Sequence, residues 1–275
     1  MNNPSFPPQL SDIPVVILCG GKGSRIREIS ELVPKPMLPI GGRPILWHIM
    51  MIYSGQGFRR FILCLGYKGE QIKDYFLNYQ ARTRDVTVEF RGGDSAPSLT
   101  FHDDSEPLPA WSVTLADTGI ETLTGGRVAR VAKYIDQDVF MLTYGDGVGD
   151  INVAASVDHH RRAESMVTVT GVHPQSRFGR IAVDGDQIVE FTEKPQVDDG
   201  YVSGGFMVVR REFIASYLRE AEDCVLELDG LTPAAADGKM SVFRHDGFWS
   251  PMDNSLEYNA LNSLWSSGKA PWKTW

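Results

Sequence analysis

The sequence predicts an α/β fold: a Rossmann-like three-layer sandwich on a mainly parallel, mixed sheet, with a small antiparallel region in its C-terminal part. Three observations predict it. Short, continuous apolar runs, which read as strands buried on both faces, alternate with stretches of helical period. That alternation implies right-handed crossovers, with helices covering both faces of the sheet. After about Met166 the rhythm changes to hairpin-like patterns.

In chain order, Val15 to Cys19 (VVILC) is the first strand and ends in Gly20-Gly21. Pro44 fits the first position of a helix whose apolar residues Ile45, Leu46, Ile49, Met50 and Tyr53 keep a 3.6-residue period. Phe61 to Leu65 (FILCL) is the second strand, and a helix from about Gly69 carries Ile72, Tyr75, Phe76 and Tyr79 at i, i+3, i+4 and i+7. Arg91 to Ala110 is polar and turn-rich, an excursion from the sheet. Val128, Val131, Ala132 and Ile135 repeat the helical pattern before the strand Val139 to Thr143. Ile181–Val183 and Ile188–Phe191 flank Asp184-Gly185, a dipeptide of tight hairpin turns. A strand follows at Phe206 to Val209, and Asn254 with Glu257 three residues later reads as a capping box before a helix through Leu256, Ala260, Leu261 and Leu264.

Composition narrows the function classes. The 275 residues are ample for a buried core, and 42% hydrophobic with 23% charged is ordinary globular usage. No apolar run approaches the ~20 residues of a membrane span, and Met1 to Pro14 has no basic region followed by an apolar one. A soluble, unexported, cytoplasmic protein without membrane contact is expected. The net charge of −8 opposes a sequence-independent grip on nucleic acid. Cys19, Cys64 and Cys224 form no CxxC pair, which argues against a disulfide framework and a zinc site, and the first two read as buried thiols.

The strongest local feature is CGGKGSR, Cys19 to Arg25, directly after the first strand. Ligands of open parallel sheets bind beyond the carboxyl ends of the strands, where a Gly-rich turn lets backbone N–H groups approach phosphate. The dinucleotide fingerprint GxGxxG fails, because Ile26 stands where its third Gly belongs, and the Walker A pattern is absent. Lys22, Arg25 and Arg27 nevertheless concentrate positive charge at the turn, so phosphate binding is expected there. PKPM, Pro34 to Met37, adds Lys35 on a backbone stiffened by two prolines.

The run of strand, LxGGxGxR, PKPM and IGGRPILWHIM resembles the sugar-1-phosphate nucleotidyltransferase family. GYKGEQIKDYF, VTLADTG, TGGR, TYGDGV, FTEKP, GFWSPMD and GKAPWKTW extend the resemblance over about Val15 to Trp275 and narrow it to members that join CTP to α-D-glucose 1-phosphate. The resemblance implies formation of CDP-glucose and pyrophosphate with Mg²⁺, for CDP-glucose-dependent deoxysugar or O-antigen synthesis. It also implies one domain over 14–275 (nucleotide-binding core 14–165, sugar-phosphate and C-terminal part 166–275) after a flexible extension, 1–13. A homo-oligomer, hexameric in the family, is a further implication.

The same resemblance implies residue roles. The nucleotide loop falls on Leu18, Cys19, Gly20, Gly21, Lys22, Gly23, Ser24 and Arg25, with Arg25 and Lys35 on phosphates. Gly66 and Tyr67 lie near the base, Thr122 and Arg127 contact nucleotide, and Gly145 adjoins Asp146. Asp146 and Asp253, 107 positions apart, are the implied Mg²⁺ ligands; Gly179, Glu193 and Lys194 hold the sugar phosphate, with Lys194 among the catalytic groups. The chemistry fits without a triad, since a phosphate monoester with its second pKa near ~6 is already an ionised nucleophile at pH 7.

Departures fall mostly on the acceptor side. Ser203 stands where the family has Asn, Leu226-Glu227 where it has Trp-Glu, and Gly230 where it has Pro; Ser24 replaces Thr and keeps the hydroxyl. A different sugar 1-phosphate, or a small phosphate or phosphonate, is therefore the alternative acceptor. A non-catalytic sensor and an NAD-dependent oxidoreductase are disfavoured by the retained aspartates and the failed fingerprint. His159-His160 reads as part of a solvated helix face, His102, Asp103 and Asp104 as an acidic loop patch, and the C-terminal tryptophans as core or subunit-contact residues.

Overall fold

The computed structural model describes residues 9–21, 33–90, 92, 96–102, 109–174, 180–184, 187–192 and 200–275, with the backbone alone for 180–184 and 188–192. Its strands in chain order are β1 (Pro14–Leu18), β2 (Pro39–Ile40), β3 (Arg43–Pro44), β4 (Arg60–Leu65), β5 (Val86–Glu89), β6 (Ser98–Phe101), β7 (Ser112–Asp117) and β8 (Val139–Tyr144). There follow β9 (Gly147–Gly149), β10 (Val167–Val172), β11 (Arg180–Asp184), β12 (Gln187–Thr192), β13 (Val202–Arg210), β14 (Met240–His245) and β15 (Trp249–Pro251).

The central sheet has seven strands in the order β14-β10-β13-β8-β1-β4-β7. Only β13 runs against the others: it pairs antiparallel with both β8 and β10, while the remaining pairs are parallel. β1 is an inner strand between β4 and β8, with Val16 level with Ile62 on one side and Leu142 on the other. Side chains alternate across a strand, so the apolar run of β1 feeds two cores. Val15 and Ile17 pack with Ile45, Ile49 and Met50 of the helix Ile45–Gly55. Val16 and Leu18 pack with Val128 and Val131 of the helix Thr124–Val131. The expected three layers and mainly parallel mixed sheet are present.

Several elements differ in detail from the sequence reading. Pro44 sits one position ahead of its helix, at the cap. The helix from Gly69 stops at Leu77, and Tyr79 opens a separate short helix, Tyr79–Thr83. Within the polar excursion Ser98–Phe101 forms a strand, β6, paired with β5 in a two-stranded ribbon off the main sheet. β11 and β12 form the expected antiparallel pair; the turn residues Gly185 and Asp186 lie outside the described residues. The capping box is present, with Asn254 Oδ1 accepting from Glu257 N at 3.0 Å ahead of the helix Ser255–Ser266.

His160 corrects the reading of a solvated His pair. It is buried, with Nδ1 2.7 Å from Thr168 Oγ1, and burial lowers its pKa from 6.5 to about 4. All three cysteines are buried. Trp272 is fully buried, stacks on Phe248 at 5.6 Å, and donates through Nε1 to His48 Nδ1 at 3.4 Å. His48 Nε2 in turn donates to Ile40 O at 2.9 Å. Trp272 therefore packs into its own chain. No helix among the described residues is long and apolar enough to cross a membrane.

Candidate active site

The carboxyl ends of β1 and β8 converge on one cavity of about 380 Å³. The backbone there continues the sheet as a lattice of loops: Cys19 N donates to Cys64 O at 3.0 Å, Tyr67 N to Gly20 O at 3.2 Å, and Gly145 N to Leu18 O at 3.0 Å. Gly145 is needed for this approach, because a Cβ there would lie 2.9 Å from Leu18 O.

Arg127 fixes the turn after β1. Its helix begins at Thr124, and its buried guanidinium reaches back to five oxygens, all uncharged. Nη1 donates to Leu65 O at 2.9 Å, Thr118 Oγ1 at 2.8 Å and Gly119 O at 2.8 Å; Nη2 donates to Gly20 O at 3.1 Å and Ile120 O at 3.2 Å. Gly20 and Gly66 make room for it, since a Cβ at either would meet the guanidinium at 2.2 or 2.4 Å. Burial lowers the Arg127 pKa, yet guanidinium starts so high that the group stays charged. A positive charge with no carboxylate hydrogen-bonded to it among the described residues thus faces the cavity.

The aspartates meet through two very short strands. β9 pairs antiparallel with β15, setting Gly147 against Pro251, and Met252 N donates to Asp146 O at 2.8 Å. Asp146 and Asp253 are thereby side by side despite their sequence separation. Lys35 Nζ, presented by a 3₁₀ turn at Lys35–Met37, donates to Asp146 Oδ2 at 2.6 Å and also to Asp253 Oδ1. Burial by itself lowers the Lys35 pKa, but the charge and hydrogen bonds of Asp146, joined by those of Asp253, outweigh it and raise the value. Glu257 Oε2 accepts from Asp253 N at 2.5 Å, so the capping box of the last helix also fixes the backbone beside this carboxylate.

Two carboxylates already share one cation here, and all their donor atoms are hard oxygens, so the pair fits a divalent ion such as Mg²⁺. No cluster of three His, Cys, Asp or Glu able to hold a metal occurs among the described residues. Two protein ligands suit an ion that keeps waters and substrate phosphates for its other positions, and do not suit a fully protein-caged zinc.

Leu18, Cys19, Gly20, Gly21, Lys35, Thr122, Arg127, Gly145, Asp146 and Asp253 all line this one cavity. Gly66 and Tyr67 stand behind the Gly20 turn, outside the lining, and Lys68 Nζ lies 5.2 Å from the Tyr67 ring centre. Ser203 lines a neighbouring cavity of about 60 Å³, together with Asp146, Tyr144 and Trp249. Lys22, Gly23, Ser24, Arg25, Gly179, Glu193 and Lys194 lie outside the described residues. Sequence reasoning missed Tyr144 and Thr124, which also line the larger cavity, and the role of Glu227, which accepts hydrogen bonds from both. The only sequence signal for Tyr144 was its place beside Gly145-Asp146.

A seven-stranded α/β sheet with a Gly-turn cavity at its strand ends, a guanidinium with no carboxylate hydrogen-bonded to it among the described residues, and paired carboxylates has the groups of a protein class that handles phosphate esters. The sequence model of the nucleotidyl transferase family matches residues 14–252, and the chain belongs to that family. It is 43% identical over 261 residues, 94% of this chain and 98% of the relative, to the glucose-1-phosphate cytidylyltransferase of Salmonella typhi. It is 27% identical to the D-glycero-alpha-D-manno-heptose 1-phosphate guanylyltransferase of Campylobacter jejuni, over 74% of this chain and 78% of that one. The fold is similar to that of HddC from Yersinia pseudotuberculosis, with a TM-score of 0.62 at 23% identity over 92% of this chain and 99% of that one.

Proposed function

We propose that the chain transfers the cytidylyl group of CTP to α-D-glucose 1-phosphate, giving CDP-glucose and pyrophosphate without a covalent enzyme intermediate. The observation that carries this reading is the meeting of the Gly20 turn, Arg127, Lys35, Asp146 and Asp253 in one cavity. The 43% identity to a glucose-1-phosphate cytidylyltransferase over nearly the whole chain supports the choice of base and sugar.

In the proposed reaction a phosphate oxygen of the sugar phosphate bonds to the α-phosphorus of CTP. The bond from that phosphorus to the bridging oxygen breaks, and its electron pair leaves with pyrophosphate. The nucleophile is ionised before it arrives, which removes the need for a general base. The protein's task is positioning and charge stabilisation. Arg127 keeps the Gly20 turn in place and leaves a positive charge facing the triphosphate, and Lys35 donates to phosphate oxygens. Asp146 and Asp253 would hold Mg²⁺, which when bound neutralises charge on the phosphates.

The remaining assignments belong to the same reading. Lys22, Gly23, Ser24 and Arg25 complete the triphosphate loop, with Gly66 and Tyr67 toward the base. Gly179, Glu193, Lys194 and Ser203 serve the sugar phosphate. Residues 14–275 act as one domain in a cytoplasmic homo-oligomer, whose mass light scattering would measure. Ser203, beside Asp146 in the small cavity, favours a second reading with another phosphate acceptor.

The test is pyrophosphate release by purified protein with Mg²⁺, crossing CTP, UTP, ATP, GTP and dTTP with a panel of sugar 1-phosphates. Release with CTP and α-D-glucose 1-phosphate alone supports the first reading; release with CTP and a different acceptor selects the second. Silence across the panel removes the first reading.

A further inference from the structure

Glu227 lines neither cavity, yet its carboxylate holds two residues that do. One oxygen accepts the Tyr144 hydroxyl, and the other accepts the Thr124 hydroxyl at 2.8 Å. Thr124 lines the larger cavity and begins the helix that carries Arg127. Tyr144 lines both cavities, and apart from Asp146 it is the one residue common to their linings among the described residues.

The support around Glu227 is itself built. Thr124 Oγ1 accepts from Leu226 N at 2.9 Å, Thr232 Oγ1 donates to Glu227 O at 2.8 Å, and Asp229 Oδ2 accepts from Val225 N at 2.6 Å. The segment Leu226–Leu231 is a π-helical turn, a form that is rare and concentrated at functional sites. From the other side Tyr144 is limited by Gly205, whose φ is +77° and where a Cβ would lie 2.6 Å from the tyrosine Cδ2. Gly205 follows Ser203 by two residues on β13. The ring is thus held at its hydroxyl by Glu227 and bounded along its Cδ2–Cε2 side by the strand that carries Ser203.

We infer that Glu227 is a positioning residue for the acceptor: acting through Tyr144, it sets the wall between the triphosphate cavity and the small cavity beside Asp146 and Ser203, and so fixes where the sugar phosphate approaches. This inference rests on the function proposed above. A carboxylate that merely tied two elements together would affect stability and both substrates alike. One that positions Tyr144 acts on the acceptor first.

The experiment is steady-state pyrophosphate release with CTP and α-D-glucose 1-phosphate varied separately, for Glu227→Ala, Glu227→Gln, Tyr144→Phe and the double variant Tyr144→Phe/Glu227→Ala, with thermal melting alongside. Glu227→Ala is expected to raise the KM for the sugar phosphate about tenfold, a loss typical of freeing a positioned group, while the KM for CTP stays within about threefold. Glu227→Gln should recover most of that loss, because its amide oxygen still accepts the tyrosine hydroxyl. Tyr144→Phe should reproduce the acceptor defect, and the double variant should be no worse than Glu227→Ala, as expected for residues acting as one unit. Additive losses, equal rises in both KM values, or losses that follow the melting temperature overturn the inference, as does an acceptor KM unmoved in Tyr144→Phe. An inactive wild-type chain fails the functional reading, and this inference with it. An active wild type with unmoved variants fails this inference alone.

Discussion

Arg127 and Lys35 bring positive charge to one cavity, and they are held in opposite ways. Arg127 is bound by four backbone carbonyls and one hydroxyl, which are neutral and belong to the loops it organises. Lys35 is bound by two carboxylates, which are charged and fit a metal. Neutral dipoles that are part of the fold keep their partner whatever enters the cavity. Carboxylates can exchange one cation for another, so the Lys35 side can change partners. One side of the cavity is therefore scaffold and the other is chemistry, although both present the same charge.

The largest effect tests the chemical side. Asp146→Asn keeps the volume but removes a charged oxygen donor, and turnover is expected to fall about a thousandfold, the several kcal/mol that a Lewis-acid ion supplies. The melting temperature should move by only a few degrees. Normal turnover in pyrophosphate release would take Asp146 out of the site and leave the comparison with one side.

Arg127→Ala tests the scaffold and should fail in the other observable. It removes the five hydrogen bonds of the guanidinium, and bonds made by a charged group are worth about 1.5–3 kcal/mol each, for a total loss of at least about 4 kcal/mol even after relaxation. Arg127→Lys should recover little of it, because an ammonium has three donors for five acceptors. Urea unfolding measures this. A stable Arg127→Ala protein that has lost only CTP binding would make Arg127 a ligand group and erase the contrast with Lys35.

How much of this contrast could be read in the sequence depended on contiguity. The Gly20-Gly21 turn, Lys35 and the buried strand before them lie close together, and local pattern exposed them. Asp146 and Asp253 meet because β9 and β15 pair, but GVG and WSP are three residues each, too short to carry a period. Only the resemblance to a family joined them. The Tyr144–Glu227 contact spans 83 positions and lies on a π-helical turn, for which no sequence period exists. His160 was legible in principle: Val153, Val157 and His160 recur at i, i+4 and i+7, which places the histidine on the buried helix face. The charged neighbours Arg161 and Arg162 obscure that period.

Lys35→Ala sharpens the comparison by giving two readouts of opposite sign. Loss of a phosphate donor should lower kcat/KM for CTP about a hundredfold. Removal of the ammonium also takes one positive charge away from Asp146 and Asp253, so Mn²⁺ should bind the nucleotide-free variant more tightly than it binds the wild type. Titration followed by Mn²⁺ electron paramagnetic resonance reads this without turnover. Weaker Mn²⁺ binding in the variant would mean that Lys35 orders the carboxylates for the ion instead of competing with it.

The smallest effect asks where scaffold ends and chemistry begins. Asn254 caps the last helix through Glu257 N, and Glu257 reaches back to Asp253 N, so the cap lies one residue from a proposed metal ligand. As a cap alone, Asn254 is worth about 1 kcal/mol, and Asn254→Ala should lower the melting temperature by roughly 2–4 °C. Glu257 still holds the Asp253 backbone in that variant, so turnover should stay within about threefold of wild type. A fall in kcat much larger than the loss of stability would show that the cap aims the Asp253 carboxylate. The last helix would then belong to the chemical side of the cavity, with Lys35, and not to the scaffold that Arg127 represents.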